Sequence, residues 1–321
     1  MTLAPTMRGA VAMIAAMVLF ITNDTFMKLA TARLPVSEAV ALRSLMSAAL
    51  LLVLLIVSGE VRNIHQSFSR KVALRSTLDA LTTLAYVTAL TVLPISTTTT
   101  VYMATPLITT ALAVPMLGEH VNFNRWCAIL IGFAGAVVVT HPNPDTFSLM
   151  VLLPLVAALF GSLRDIGTRG ISLVIPAAVV SFSSSLFVSA GGFALYGVEN
   201  WIWPDTLSIL QMAGSSVAYA AGTLLLVQAF RIAPIQVVSP LRYVLVPLSL
   251  ICGLLVFRQS PDIWAAIGAI MVVGAGLYSI HQEATRGRAQ ARVPEPDVCE
   301  PSSLGRGGAP LAGGVTRTPD R

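Results

Sequence analysis

Windows of about twenty apolar residues, the length that crosses a hydrocarbon core, recur along almost the whole 321-residue chain with short polar breaks between them. No other feature limits the fold as much, because backbone placed in lipid must satisfy its own hydrogen bonds, and a helix does so within a single segment. The windows predict spans near 9–28, 35–58, 72–93, 96–117, 124–141, 148–168, 177–197, 207–230, 236–257 and 262–281. The breaks carry turn and helix-stop residues: Arg62 to Lys71, Gly118-Glu119, His141-Pro142-Asn143-Pro144 and Trp203-Pro204-Asp205. The run that begins at Gly9 has no small-residue cleavage site after it and reads as the first span rather than a signal peptide.

Composition agrees. Apolar residues make up 55% of the chain and charged residues 11%, against about a quarter charged in soluble domains, so a water-facing surface cannot be assembled from this material. The expected class is an all-α integral membrane protein with the lipid bilayer as its surroundings. The net charge of +5 forms no stripe, since Lys and Arg sit between the windows and in the tail; nucleic acid is not an expected partner. Cys127, Cys252 and Cys299 are odd in number and widely spaced, which fits neither a disulfide framework nor a zinc site. No Walker loop, Gly-x-Ser-x-Gly elbow or His-Glu-x-x-His helix occurs, so no enzyme activity, cofactor or metal is expected.

Short-loop cations favour the cytoplasmic side. With both termini inside, that side collects Arg8, Arg62, Arg70, Lys71, Arg75, Arg125, Arg164, Arg169, Arg231, Arg286, Arg288 and Arg292, leaving only Lys28, Arg33 and Arg258 outside. Both termini are therefore expected in the cytoplasm. From Thr285 onward Pro, Gly and Arg dominate and large apolar residues are scarce, so residues 285–321 are expected to be a disordered tail.

Sliding the chain against itself by 141 residues brings Asp24 onto Asp165, Lys28 onto Arg169, Thr82 onto Thr223, Tyr102 onto Tyr243, Pro106 onto Pro247 and Ala134-Gly135 onto Ala275-Gly276. Apolar stretches match one another cheaply, but an acid followed four residues later by a base inside two spans does not. The expectation is two copies of a five-helix unit, 8–141 and 148–281. An odd number of spans per copy makes the second enter from the opposite side. Such inverted repeats place a solute path at their interface.

Ionisable groups within a span cost about 3 kcal/mol each on insertion scales and generally face a partner or a cavity. Asp24 and Lys28 stand one turn apart and can pair; Asp165 and Arg169 repeat the spacing. Either these pairs line or gate a path, or each base snorkels from its helix end and neutralises its acid. Arg43 lies deep in the second span, five residues after Glu38, and reads as a structural or solute-facing counter-ion. Asp79 lies in the third span and Arg242 in the ninth, between Pro240 and Pro247. Prolines inside a span free backbone carbonyls, and Pro106, Pro240 and Pro247 are candidate hinges, with Tyr102 and Tyr243 each four residues before one of them. Gln228 is either a path residue or interhelical glue. The ladders Ala128-Gly132-Ala136 and Gly214-Ala218-Gly222 permit close helix approach, as scaffold or as homodimer contacts.

Several segments together resemble the drug/metabolite transporter superfamily in its bacterial branch with two EamA domains. They are Asn23-Asp24-Thr25-Phe26-Met27-Lys28, Ala41-Leu42-Arg43, Gly118-Glu119, Arg125-Trp126 with Gly132-Phe133-Ala134-Gly135, and Pro240-Leu241-Arg242-Tyr243 followed by Ser260-Pro261-Asp262. The first of them, with Arg125-Trp126 and the Pro-x-Arg-Tyr run, is also similar to S-adenosylmethionine uptake carriers of intracellular bacteria. The resemblance implies a ten-span inner-membrane permease that moves a small polar organic solute by alternating access, without ATP. Other branches export amino acids and metabolites or take up riboflavin. The second copy departs from the pattern, with Arg258-Gln259 where the first has Gly118-Glu119. The leading expectation is a secondary carrier of a charged or zwitterionic metabolite held by Asp24, Asp79, Arg43 and Arg242, coupled to protons or to a counter-solute. A membrane scaffold that carries no solute is the competing class.

Overall fold

The computed structural model describes residues 5–117, 123–140, 149–169, 171–172, 174–232, 241–259 and 262–290. These are helical, with no strand among them: α1 Pro5–Thr31, α2 Val36–Val57, α3 Arg70–Val92, α4 Ile95–Tyr102, α5 Thr105–Leu117, α6 Phe123–Thr140, α7 Leu153–Arg169, α8 Ala177–Ala194, α9 Thr206–Ile232, α10 Leu245–Leu255 and α11 Ile263–Gln290. Short 3-10 segments cover Glu60–Phe68, Leu149–Leu152 and Arg242–Val244. Gly118-Glu119, Pro240 and the tail beyond Gln290 lie outside the described residues.

Proline sets several of the boundaries. Pro35, Pro94 and Pro176 stand immediately before α2, α4 and α8 with extended ψ angles of 146°, 143° and 146°, turning the chain into each helix with a fixed φ. Gly59 follows α2 at φ +73°, a left-handed conformation that glycine adopts without a Cβ penalty.

Four described helices are long and apolar enough to cross a membrane: Met7–Thr31, Val36–Val57, Ala177–Ala194 and Thr206–Ala229. The remaining windows produce shorter, interrupted or more charged helices. The window expected at 96–117 is two helices, because Pro106 cannot donate to the carbonyl of Tyr102 four residues earlier. The hydroxyl of Thr105 donates to that carbonyl instead, at 2.5 Å. The window at 236–257 is likewise broken in its described part, where a 3-10 turn at Arg242–Val244 precedes α10. Tyr102 therefore ends α4, and Tyr243 sits in the 3-10 turn that leads into α10.

Helix packing is reciprocal between the two halves of the chain: α1 lies on α9 and α3 on α7, while α2 faces α8 and α4 faces α10. Small residues bring backbones together. A Cβ on Gly214 would fall 2.9 Å from the Phe26 ring, and one on Gly135 would fall 2.7 Å from Met271 Cβ. The Gly214-Ala218-Gly222 ladder is thus used inside the chain, against α1. Serine hydroxyls also join helices by bonding to carbonyls: Ser189 to Ala41, Ser216 to Arg43 and Ser47 to Ser216. Large apolar side chains such as Val57, Leu130, Leu255 and Ile270 remain exposed, as a lipid-facing surface requires.

Candidate functional site

Three polar layers are stacked along α3. The first lies near its start. Asp79 accepts from Arg164 of α7 at 2.7 Å and has Arg75, one turn earlier, at 3.6 Å. Arg164 also donates to Asp165 at 2.9 Å, and Arg242 reaches the other oxygen of Asp165 at 3.2 Å. The result is a ladder of alternating charge, Arg75–Asp79–Arg164–Asp165–Arg242, running from α3 through α7 to the turn before α10. Arg75 also donates to Ser184 of α8 and lies 3.4 Å from Thr168. Four of the five ladder side chains are largely buried, Asp165 being the most open at 27%. Buried ions remain stable only with partners of this quality, since removing one strands the other.

The second layer is about 10 Å further along α3 by helical rise. Asp24 of α1 accepts from the hydroxyl of Tyr86 at 2.8 Å and from the amide of Asn23 at 2.9 Å. Ser215 of α9 donates to Asn23 at 2.7 Å, and Thr99 of α4 lies 3.1 Å from the Tyr86 oxygen. Tyr102 meets the edge of Tyr86 at 5.0 Å between ring centroids. One buried carboxylate thus draws together α1, α3, α4 and α9 without a cation in contact.

The third layer closes the far end of α3. Lys28 donates to the carbonyls of Leu90 and Leu93, both at 2.5 Å, and sits 5.6 Å from the Phe257 ring. This corrects the expectation that Lys28 pairs with Asp24: Pro94 has no N–H to offer the Leu90 carbonyl, and the lysine takes the vacant place. Nearby, the loop before α9 is fastened to the start of α2. Glu199 accepts from the backbone and hydroxyl of Ser37 at 2.9 and 2.7 Å, and Glu38 accepts from Ile202 N–H at 3.0 Å. Arg33 pairs with Asp205 at 2.8 Å on the surface. Glu38 therefore does not neutralise Arg43. Arg43, 1% exposed, instead holds its guanidinium 4.2 Å over the Tyr219 ring.

Of the candidate residues, Asp79, Asp165 and Arg242 come together in the ladder, Asp24 joins Tyr102 through Tyr86, and Arg43 reaches the ladder through Tyr219, whose hydroxyl lies 3.5 Å from Asp79. Tyr243 is buried, with no hydrogen-bond partner for its hydroxyl. Gln228 is exposed on α9 and Pro247 exposed on α10, apart from these layers. Pro106 is partly buried in the first turn of α5. The side chain of Arg169 lies outside the described residues. Sequence reasoning passed over Arg75 and Arg164 as loop cations, although each sits within a helix beside an acid: Asp79 one turn on and Asp165 next in the chain. Tyr86, Ser215 and Tyr219 gave no sequence signal, and Asn23 only its place in the first-span segment, since their partners come from distant helices. Among the described residues no cluster of ligating side chains suited to a metal occurs.

Residues 7–141 match the EamA-like transporter family. The S-adenosylmethionine uptake transporter of Rickettsia prowazekii (strain Madrid E) is 29% identical over 174 residues, which cover 52% of this chain and 57% of that protein. The riboflavin transporter of Vibrio cholerae serotype O1 is 27% identical over 179 residues, covering 55% and 59%. The chain spans little more than half the length of these curated relatives. A crystal structure of a protein superposes over 88% of this chain and 99% of its own, with a TM-score of 0.62 at 18% identity, a likeness of fold alone. On these matches, residues 7–141 of the chain are similar to the EamA-like transporter family.

Proposed function

We propose that the protein is a secondary permease for a small polar organic metabolite, working by alternating access in a bacterial inner membrane. In this reading ten spans form two inverted repeats, 8–141 and 148–281, with both termini cytoplasmic. The observation that carries it is the stack of buried polar layers along α3. Charged groups inside an apolar bundle are costly and mark solute or ion pathways, and here they join helices of both halves at two separate depths. The reciprocal packing of α1 on α9 and α3 on α7 supports an in-plane pseudo-two-fold axis, the arrangement that lets one half rock against the other. The names of the relatives support a cargo of metabolite or vitamin size, S-adenosylmethionine or riboflavin among them.

In mechanistic terms the ladder closes one end of the path and the Lys28 layer the other. Opening an end means exchanging protein partners for solute or water. Asp24, held by neutral donors alone, is the carboxylate best placed to take a coupling proton or a cationic group. Tyr102, at the end of α4, and Tyr243, in the turn before α10, are the pivots.

The test is counterflow in proteoliposomes with labelled S-adenosylmethionine, riboflavin and amino acids, beside Asp24→Asn and Arg242→Ala. Flux of one solute, lost in both variants, is the expected result. Absence of flux together with co-purification of a stoichiometric partner would favour the scaffold reading. Tags placed just before the first and the sixth span should appear on opposite sides of the membrane.

A further inference from the structure

Among the described residues, the buried ions of the polar layers are held by ion pairs or hydrogen bonds, and Arg43 is the ion with donors left over. Asp79 is engaged by Arg164 and Arg75, and Asp165 by Arg164 and Arg242. Both oxygens of Asp24 accept hydrogen bonds, from Tyr86 and Asn23. Arg43 has no such fit: its Nε and Nη1 have no protein acceptor, and the Tyr219 ring covers the guanidinium at 4.2 Å. A guanidinium does not shed its proton in a protein, so this charge cannot be relieved by neutralisation.

The charge balance points the same way. Among the described residues, Arg43 and the ladder place four guanidiniums, Arg43, Arg75, Arg164 and Arg242, beside two carboxylates in contact, Asp79 and Asp165, with Asp24 in the neighbouring layer. Asp24 and Asp79 lie within Coulombic reach of Arg43 but make their contacts elsewhere, and Glu38 on the same helix turns to Ile202. An ion whose counter-charge is missing inside the bundle is costly to keep. A residue that served stability alone would be better replaced by an apolar one.

We propose that Arg43 is the anion-docking residue of the solute path, so that the cargo carries a carboxylate or another oxyanion which takes the N–H groups of Arg43 when the helices part. The inference rests on the transport reading and narrows it: neutral solutes lack the group the site is built for, and Arg164 and Arg242, already engaged, are ladder residues rather than docking residues. Tyr219 holds the guanidinium plane by stacking, a role arginine fills better than lysine.

The test uses the purified full-length protein in nanodiscs and matched probes: L-methionine against L-methioninamide, succinate against succinamide, and inorganic phosphate. Thermal unfolding is followed for wild type, Arg43→Lys and Arg43→Gln, because a ligand that binds the folded state raises its melting point. The expected result is that an acid stabilises the wild type more than its amide, or that phosphate does. Arg43→Lys should keep this preference with affinity weakened roughly tenfold, and Arg43→Gln should lose it. Should Arg43→Gln fail to fold, the weakened but retained preference of Arg43→Lys decides. Equal responses of the wild type to every acid and amide, with none to phosphate, overturn the inference, as does an undiminished preference in either variant. Counterflow of the probes separates the two readings: transport of amide as fast as acid overturns the docking role and leaves the permease standing. Acid-selective binding without flux does the reverse.

Discussion

Arg164 and Asp79, 85 positions apart in sequence, meet at 2.7 Å and join α7 to α3. The bond is shared, because Arg164 also holds Asp165, which in turn holds Arg242. Removing Asp79 leaves Arg75 without an acid, and removing Arg164 takes from Asp79 and Asp165 the closer of their two cations. Arg164→Gln or Asp79→Asn alone should therefore cost about 3–5 kcal/mol, the loss typical of a broken buried pair. The double variant should lose less than the sum of the two, read as the unfolding midpoint in detergent.

Lys28 stands in for the N–H that Pro94 lacks. Lys28→Met keeps the apolar stem and removes the donor, leaving the Leu90 and Leu93 carbonyls without it. A loss of about 1–3 kcal/mol is expected, and Lys28→Arg should restore part of it. Thermal unfolding of the three proteins side by side measures this.

Gly214 faces Phe26 across the α1–α9 contact, where a Cβ would fall within 3.1 Å of two ring atoms. Gly214→Val should destabilise by about 1–3 kcal/mol through overpacking. In a Phe26→Ala background the same change should cost much less, so the double-mutant cycle should give a favourable coupling. Additive losses would mean that the two helices do not touch there.

Asp205, in the loop before α9, has its carboxyl held below the ordinary value of 3.8, first by the hydroxyl and N–H of Ser208 and then by Arg33. A carboxyl depressed on folding stabilises the protein fully above its unfolded value, and that contribution disappears as pH falls through the lower, folded value. Melting temperature should therefore drop less steeply below pH 3.8 in Asp205→Asn than in wild type, and the two proteins should differ by a constant amount at neutral pH. At an exposed site the effect is small and should shrink further in high salt.

Much of this was legible in the chain before any coordinate. Apolar length identified the helices, and the rarity of charge inside them singled out Asp24, Arg43, Asp79, Asp165 and Arg242. The pairing of those charges was not legible. Spacing of four suggests Asp24 with Lys28, but the lysine stem reaches the Leu90 and Leu93 carbonyls, while Asp24 is bonded by Tyr86 and Asn23. Arg164 was hidden because cations near span ends are read as loop residues that set orientation. Tyr219 and Asn23 become meaningful only when α9 is laid against α1 and α2. The prolines were informative in advance: the end of α4 at Tyr102 and the 3-10 turn at Tyr243 each lie four residues before a proline, Pro106 and Pro247.

The break between α4 and α5 has a mechanical consequence. An unbroken helix resists flexing because each bend stretches several of its own hydrogen bonds at once. Cutting α4 from α5 at Met103 and Ala104, with the Tyr102 carbonyl already given to Thr105, confines the deformation to a few backbone torsions. In the proposed alternating-access cycle, that level is where the rods on either side would swing with their internal bonding intact.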